Sequence, residues 1–406
     1  MVHRQVSTDV MRAARWGAPG LSQALSSIGN VALLLAAART LSVADFGVFS
    51  LVYPGVLLVS LLVRVAIGES NMVRSADSAV RLDVAATVLG AALVVTPALG
   101  VVAFTITAII SGSWSLSIAV GLAATVVPYA DTMRYSLLAG ARVREAIRFD
   151  FMWTCSGVIG LLVLWFGDAF SPQGLLRVWF ISAGLAVLGA KSVRPAGPGP
   201  SLVSFRDNSH WWRLTVNEML IAGSSYITLV ALGFAGGTGE VGAARAALLP
   251  YLWVQLLITG LWLAVLSRRP TDAQLRRLTR LVGFVILLAI TVVLAVSRVA
   301  PDDWGLWLLP EHWSSIAGLA YYAAFAYAAL TVAELRMLVL KAKGSTSRVL
   351  IARIVGAAVM GIMTVALLAR PSPELALCAS AAGHVAVAVV ARGRLARDSI
   401  AAADTR

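Results

Sequence analysis

Four sets of ionisable residues fall within or at the ends of long apolar stretches, where an uncompensated charge is costly and a retained one usually faces a partner or water. Arg64 and Glu69 sit toward the inner end of one stretch, Asp131 and Arg134 lie about one helical turn apart in another, Glu218 follows Asn217, and Glu334 precedes Arg336. Asp131 and Arg134 are spaced to pair along their own helix. Arg64 and Arg134 together also form the candidate phosphate site, because a guanidinium offers planar, bidentate donors. Asp131, Glu218 and Glu334 are the candidates for carrying a coupling proton or cation, with solvation at the inner interface as the competing role for the two glutamates. Gln23, Asn30, Tyr53 and Gln255 are placed to hydrogen-bond sugar hydroxyls, or else to join helices to one another.

Other chemistries find less support. Asp302 and Asp303, with His312 nearby, are an adjacent acidic pair, but Trp304, Trp307 and Trp313 around them fit an interfacial aromatic belt over a short surface helix better than a metal or glycosyl-transfer site. The lone His384 reads as a packed histidine. Cys155 and Cys378 are far apart within apolar stretches, so neither a disulfide framework nor a metal pattern is indicated. No glycine-lysine phosphate loop, nucleophile elbow or zinc spacing occurs, and no cofactor is expected.

The elements that carry these residues are membrane spans. Apolar stretches at roughly 18–38, 45–68, 83–110, 114–137, 149–168, 172–191, 213–233, 241–266, 280–299, 314–340, 346–369 and 373–391 each approach the ~20 residues that cross a bilayer. Hydrophobic residues make up 59% of the chain and charged ones 13%, with a mean hydropathy of +0.84. Backbone groups in lipid must be satisfied within their own segment, so the spans are helices. The expected fold class is therefore an all-α polytopic membrane protein of about twelve transmembrane helices.

Arginine and lysine set the orientation. With a cytoplasmic N-terminus, 28 of the 33 basic residues fall on the inward side, leaving Arg39, Arg177, Arg245, Arg298 and Arg370 outside. Both termini then face the cytoplasm, and the cytoplasmic membrane is the expected location. The net charge of +13 is dispersed over juxtamembrane turns, which suits anionic lipid headgroups and gives no footprint for nucleic acid.

The helix-breaking stretch at 194–212 divides the spans six and six. The expected organisation is a tail at 1–17, a first six-helix lobe at 18–193, a linker at 194–212, a second lobe at 213–391 and a tail at 392–406. A short echo supports two copies of one unit: Asp45 aligns with Glu240, Gly47 with Gly242 and, one residue out of step, Pro54 with Pro250. Prolines 54, 128 and 250 are expected to bend their spans. The basic connector at 267–280 would suit a short helix on the inner surface.

Three stretches resemble a known family: LSSIGNVALLLAAARTLSVADFGVFSLV at 25–52, LLPEHWSSIAGLAYYAAFAYA at 308–328 and LRMLVLKAKGSTSRVL at 335–350. They are similar to the multidrug/oligosaccharidyl-lipid/polysaccharide (MOP) superfamily, and within it to the bacterial O-antigen and capsule flippases. The resemblance implies two six-helix lobes around a cavity that opens alternately to each side, outward movement of lipid-linked sugars, and basic cavity residues on the pyrophosphate, for which Arg64 and Arg134 are the nearest by position. Gln23 and Asn30 stand where such flippases often add basic residues. Expected partners are the lipid-linked sugar and membrane lipids, with a polysaccharide polymerase or glycosyltransferases as candidates. The alternatives are a cation-coupled small-molecule exporter of the same fold, for which Asp131 is the available acid, and a membrane glycosyltransferase or polymerase, for which the outer connectors are short.

Overall fold

The computed structural model describes residues 22, 25–65, 78–139, 142–190, 215–255, 257–258, 261, 271–343 and 345–404. All regular structure among them is helical. Ten helices are long and apolar enough to cross a membrane, with a shorter apolar one at Leu25–Thr40. The chain is a multi-pass membrane protein of the all-α class.

In order, the first half contains α1 (Leu25–Thr40), α2 (Val43–Val63), α3 (Ser78–Ser111), α4 (Trp114–Ala139), α5 (Val143–Phe166) and α6 (Pro172–Gly189). The second half contains α7 (Thr215–Gly236), α8 (Thr238–Leu248), α9 (Asp272–Val299), the short α10 (Asp302–Leu308), α11 (Trp313–Ala342), α12 (Thr346–Ala369) and α13 (Pro373–Asp404). The linker at 194–212 and the first tail lie outside the described residues.

Turn chemistry sets several of these boundaries. Ser171 caps α6 by accepting from the Gly174 amide, with Pro172 in the first turn where its missing N–H costs nothing. Thr271 and Gln274 form a reciprocal capping box at the start of α9. The described part of the basic connector, from Asp272, therefore belongs to the ninth span as one continuous helix and is not a separate surface helix. Pro54 and Pro128 lie inside α2 and α4. Pro250 falls in the 3₁₀ turn Leu249–Tyr251 that follows α8, since proline removes the amide an α-helix would need there.

The chain forms two compact units. The first comprises the described residues of Met1–Ala37 and Gly55–Trp212, the second those of Ala38–Pro54 and Arg213–Arg406. The division falls within α2, between Pro54 and Gly55.

Small residues bring helices together inside each unit, as expected where lipid supplies no hydrophobic drive for association. In the first, α3 crosses α4 so closely that a Cβ on Gly100 would lie 1.9 Å from the Thr125 hydroxyl. In the second, the leading half of α2 crosses α8. A Cβ on Gly47 would lie 1.7 Å from the Thr238 carbonyl oxygen, and one on Gly242 would lie 2.1 Å from that of Val43. The two glycines aligned in sequence thus meet at one crossing. Helix α4 is the most enclosed span of the first unit, with 67% of its apolar window buried, and α11 of the second, with 61%. The flanking α3, α5 and α9 turn large apolar side chains such as Ile109, Val163 and Phe284 outward, toward what the composition identifies as lipid.

Candidate functional site

Helix α4 carries the first charged cluster near its inner end. The Arg64 side chain, in the turn that continues α2, donates from Nη1 to Asp131 Oδ2 at 3.2 Å. Arg134, one turn beyond Asp131, instead reaches α5: its Nε lies 2.8 Å from Asp150 Oδ1 and donates to Oδ2 at 3.0 Å. The Ser22 hydroxyl donates to Asp150, and Arg134 Nη2 donates to Ser22 at 3.4 Å. Tyr135 sits between the guanidiniums, its ring centre 4.6 Å from the Arg64 carbon and 5.4 Å from that of Arg134.

The expected pairing of Asp131 with Arg134 along their own helix is replaced by these two interhelical pairs. An intrahelical pair would leave Arg64 and the buried Asp150 without counter-charges, and an unpaired buried charge costs several kcal/mol. Sequence reasoning missed Asp150 because it stands at the predicted start of the fifth span. The helix begins seven residues earlier, at Val143, so Asp150 lies two turns inside it and is fully buried.

Asn30 lines a different place. With Ser26, Trp153, Thr154, Trp179 and Ser182 it bounds a cavity of about 30 Å³ among α1, α5 and α6. That is room for about one water, far below the hundreds of Å³ a sugar occupies. Neither Arg64 nor Arg134 lines it. Gln23 lies outside the described residues.

In the second unit, Glu218 begins a five-residue π turn, Met219–Gly223, and pairs with Lys341 of α11 at 2.9 Å. Glu334 pairs with Arg353 of α12 at 2.8 Å. Arg353 is buried and its Nε and Nη1 have no hydrogen-bond partner. His384 of α13 is buried too, with Nδ1 unbonded. Gln255 is exposed, and Cys155 and Cys378 are free thiols.

Arg245 of α8 differs from these. Among the described residues no carboxylate lies within ion-pair distance of it, and no acceptor within hydrogen-bond distance is resolved. Its electrostatic neighbours are Tyr53 and Tyr327. Tyr53 is buried and stacked on Phe49 at 5.3 Å; Tyr327 is stacked on Tyr251 at 5.5 Å. Arg245 stands seven residues into α8, about 10 Å from its start at 1.5 Å per residue, and three residues past the Gly242 crossing. The sequence placed it on the outward side, four residues into the span predicted at 241–266; the helix starts three residues earlier, at Thr238, and sets it deeper.

On the outer connector, Asp302 and Asp303 occupy the first turn of α10, where the helix dipole favours acids. Asp302 accepts from Trp313 Nε1 at 3.2 Å. His312 packs its ring on Phe46, with centroids 4.7 Å apart.

No protein-family model matches the sequence, and no curated relative does. Solved structures do match. One is a multidrug resistance MATE family transporter of the MOP superfamily in its inward-facing conformation: 13% identity over 92% of this chain and 95% of that one, TM-score 0.65. The outward-facing conformation of such a transporter aligns at 14% identity over 95% and 96%, TM-score 0.62. The chain has the fold of the MOP superfamily transporters. A third solved structure, a MOP superfamily transporter from Pyrococcus furiosus, aligns at 13% identity over 94% of this chain and 95% of that one, TM-score 0.58; it is described as having a binding pocket of reverse polarity that suggests a different function. The twelve-span expectation and the superfamily resemblance agree with this MOP architecture.

Proposed function

We propose that this chain moves an anionic lipid-linked oligosaccharide or polysaccharide repeat unit from the inner to the outer leaflet of the cytoplasmic membrane by alternating access. The supporting observation is the charge balance at membrane depth. Among the described residues, the carboxylates well inside spans are each held by a cation: Asp131 by Arg64, Asp150 by Arg134, Glu218 by Lys341 and Glu334 by Arg353. Cations inside spans that have no carboxylate partner among the described residues include Arg336, which donates to the Ala388 carbonyl, and Arg245, whose electrostatic neighbours are two tyrosines. A site that recognises a cationic drug needs a spare carboxylate; a spare guanidinium beside hydroxyls suits phosphate and sugar. The Pyrococcus structure, whose pocket of reverse polarity is described as suggesting a different function, is compatible with this reading.

The MATE relatives favour a second reading, a cation-coupled multidrug exporter. Proteoliposomes separate the two. Flipping of a fluorescent polyprenyl-diphosphate sugar is expected to fall about tenfold in Arg245→Gln, the equivalent of losing one charge-assisted hydrogen bond worth ~1.5 kcal/mol. Wild-type vesicles that move no lipid, yet exchange a cationic dye at a rate indifferent to Arg245→Gln, would establish the exporter instead.

A further inference from the structure

A second group of buried polar side chains lies within the second unit, where α11, α12 and α13 meet. Arg353 is 2% exposed and reaches Glu334 through Nη2. Its Nε–H and both Nη1–H groups are buried without an acceptor. His384 of α13 is 4% exposed, its Nδ1 is likewise unbonded, and its electrostatic neighbours are Glu334 and Arg353. Glycines seal the place. A Cβ on Gly356, three residues past Arg353, would lie 2.9 Å from the carbonyl oxygen of Gly383, the residue before His384. The helices thus enclose donors that they do not themselves satisfy, and buried donors call for a partner.

We propose that Arg353 and His384 hold a monatomic anion of the chloride class, taken up together with a proton on His384. The donor count favours an anion over a water. A guanidinium accepts nothing, so the shortfall is of acceptors, and a water would bring two more protons to place. A halide accepts from several donors and brings none. The close crossing of α12 and α13 favours a monatomic ion over a phosphate or carboxylate.

Charge balance then calls for the proton. Arg353 and Glu334 already sum to zero, so an anion alone would leave a buried negative charge, whereas an anion with an imidazolium keeps the group neutral. The imidazolium also adds Nδ1–H as a donor, and the anion offsets its repulsion from Arg353. Other charges on the packed helices are engaged elsewhere. Lys341 pairs with Glu218 and Arg336 donates to the Ala388 carbonyl; among the described residues no charged group of α7 or α8 acts on His384. Arg245 and its tyrosines are not part of this group, so the anion site does not rest on the proposed lipid movement.

The test is isothermal titration calorimetry of the purified, solubilised protein with sodium bromide, in chloride-free gluconate buffer at constant ionic strength. Bromide should bind about tenfold more tightly at about pH 5.5 than at about pH 7. The dependence of the heat on buffer ionisation should report about one proton taken up per ion. His384→Gln should bind weakly at both pH values with no proton uptake. Glu334→Gln should bind tightly at both, also without uptake, because Arg353 alone then balances the anion. Arg353→Gln should abolish the binding; joined to Glu334→Gln it strands no charge, and the double variant serves if the single one does not fold. Three results would each overturn the proposal: wild type that binds no bromide at either pH, which would assign the place to water; bromide uptake without a proton; or binding that persists in the double variant. Bromide titration uses no lipid, so its failure is distinct from failure of the flipping assay.

Discussion

The fourth and fifth spans of each half are joined by a buried ion pair with opposite polarity in the two units. In the first, α4 supplies the cation Arg134 and α5 the anion Asp150. In the second, α11 supplies the anion Glu334 and α12 the cation Arg353. The positions correspond. Asp150 lies seven residues from the start of α5 and Arg353 seven from the start of α12, while Arg134 and Glu334 lie twenty and twenty-one residues into their helices. Both pairs close to 2.8 Å. The two pairs occupy matching helix positions with their charges reversed, so either direction of pairing closes at this place. What differs is the surroundings. Arg134 has Asp131 as an alternative partner, whereas Arg353 has no second carboxylate on its own helix and faces His384.

The largest effect expected comes from breaking either clamp. Asp150→Ala or Glu334→Ala strands a buried guanidinium and should cost about 3–5 kcal/mol in thermal unfolding followed in detergent. Combining Arg134→Asp with Asp150→Arg gives the first unit the polarity of the second and should recover more than half of that loss. A swap no more stable than the single variants would show that the two positions are not equivalent.

A smaller effect is expected at the outer connector. Burial lowers the His312 pKa below the ordinary value of 6.5. The unfolded chain therefore binds the proton more readily, and stability contributed by the neutral ring is present above about pH 6.5 and is lost as pH falls below it. His312→Phe should keep the packing on Phe46 and flatten the pH dependence of unfolding between about pH 6.5 and 5. The smallest effect belongs to Arg142 and Glu145, also paired at 2.8 Å but each about one-third exposed. Arg142→Gln should change stability by less than about 0.5 kcal/mol. The contrast with Arg134 would show that burial, rather than distance, sets what an ion pair is worth here.

Much of the architecture was legible in advance because the bilayer imposes it. Apolar length set the spans. The echo of Gly47 and Gly242 was visible as two matched residues, though nothing in the sequence says that matched residues touch. The functional assignments were less legible. Arg64, Arg134 and Asp131 drew notice as charges inside spans, but their ion-pair partners are on other helices, and neither Asp150 nor Arg353 attracts notice in a string where both sit near the predicted start of a span. Arg245 was counted only as one of five basic residues on the outward side, within the span predicted at 241–266.

By itself, the sequence determined the solvent of this protein and its secondary structure, since a residue's transfer free energy and the need to satisfy its backbone locally depend on chain composition alone. Tertiary structure decided which unit claims residues 38–54, which carboxylate neutralises which arginine, and which arginine is left without one. Those outcomes depend on which helix faces meet, and on charges brought to 3.2 and 2.8 Å across sequence separations that no local pattern encodes.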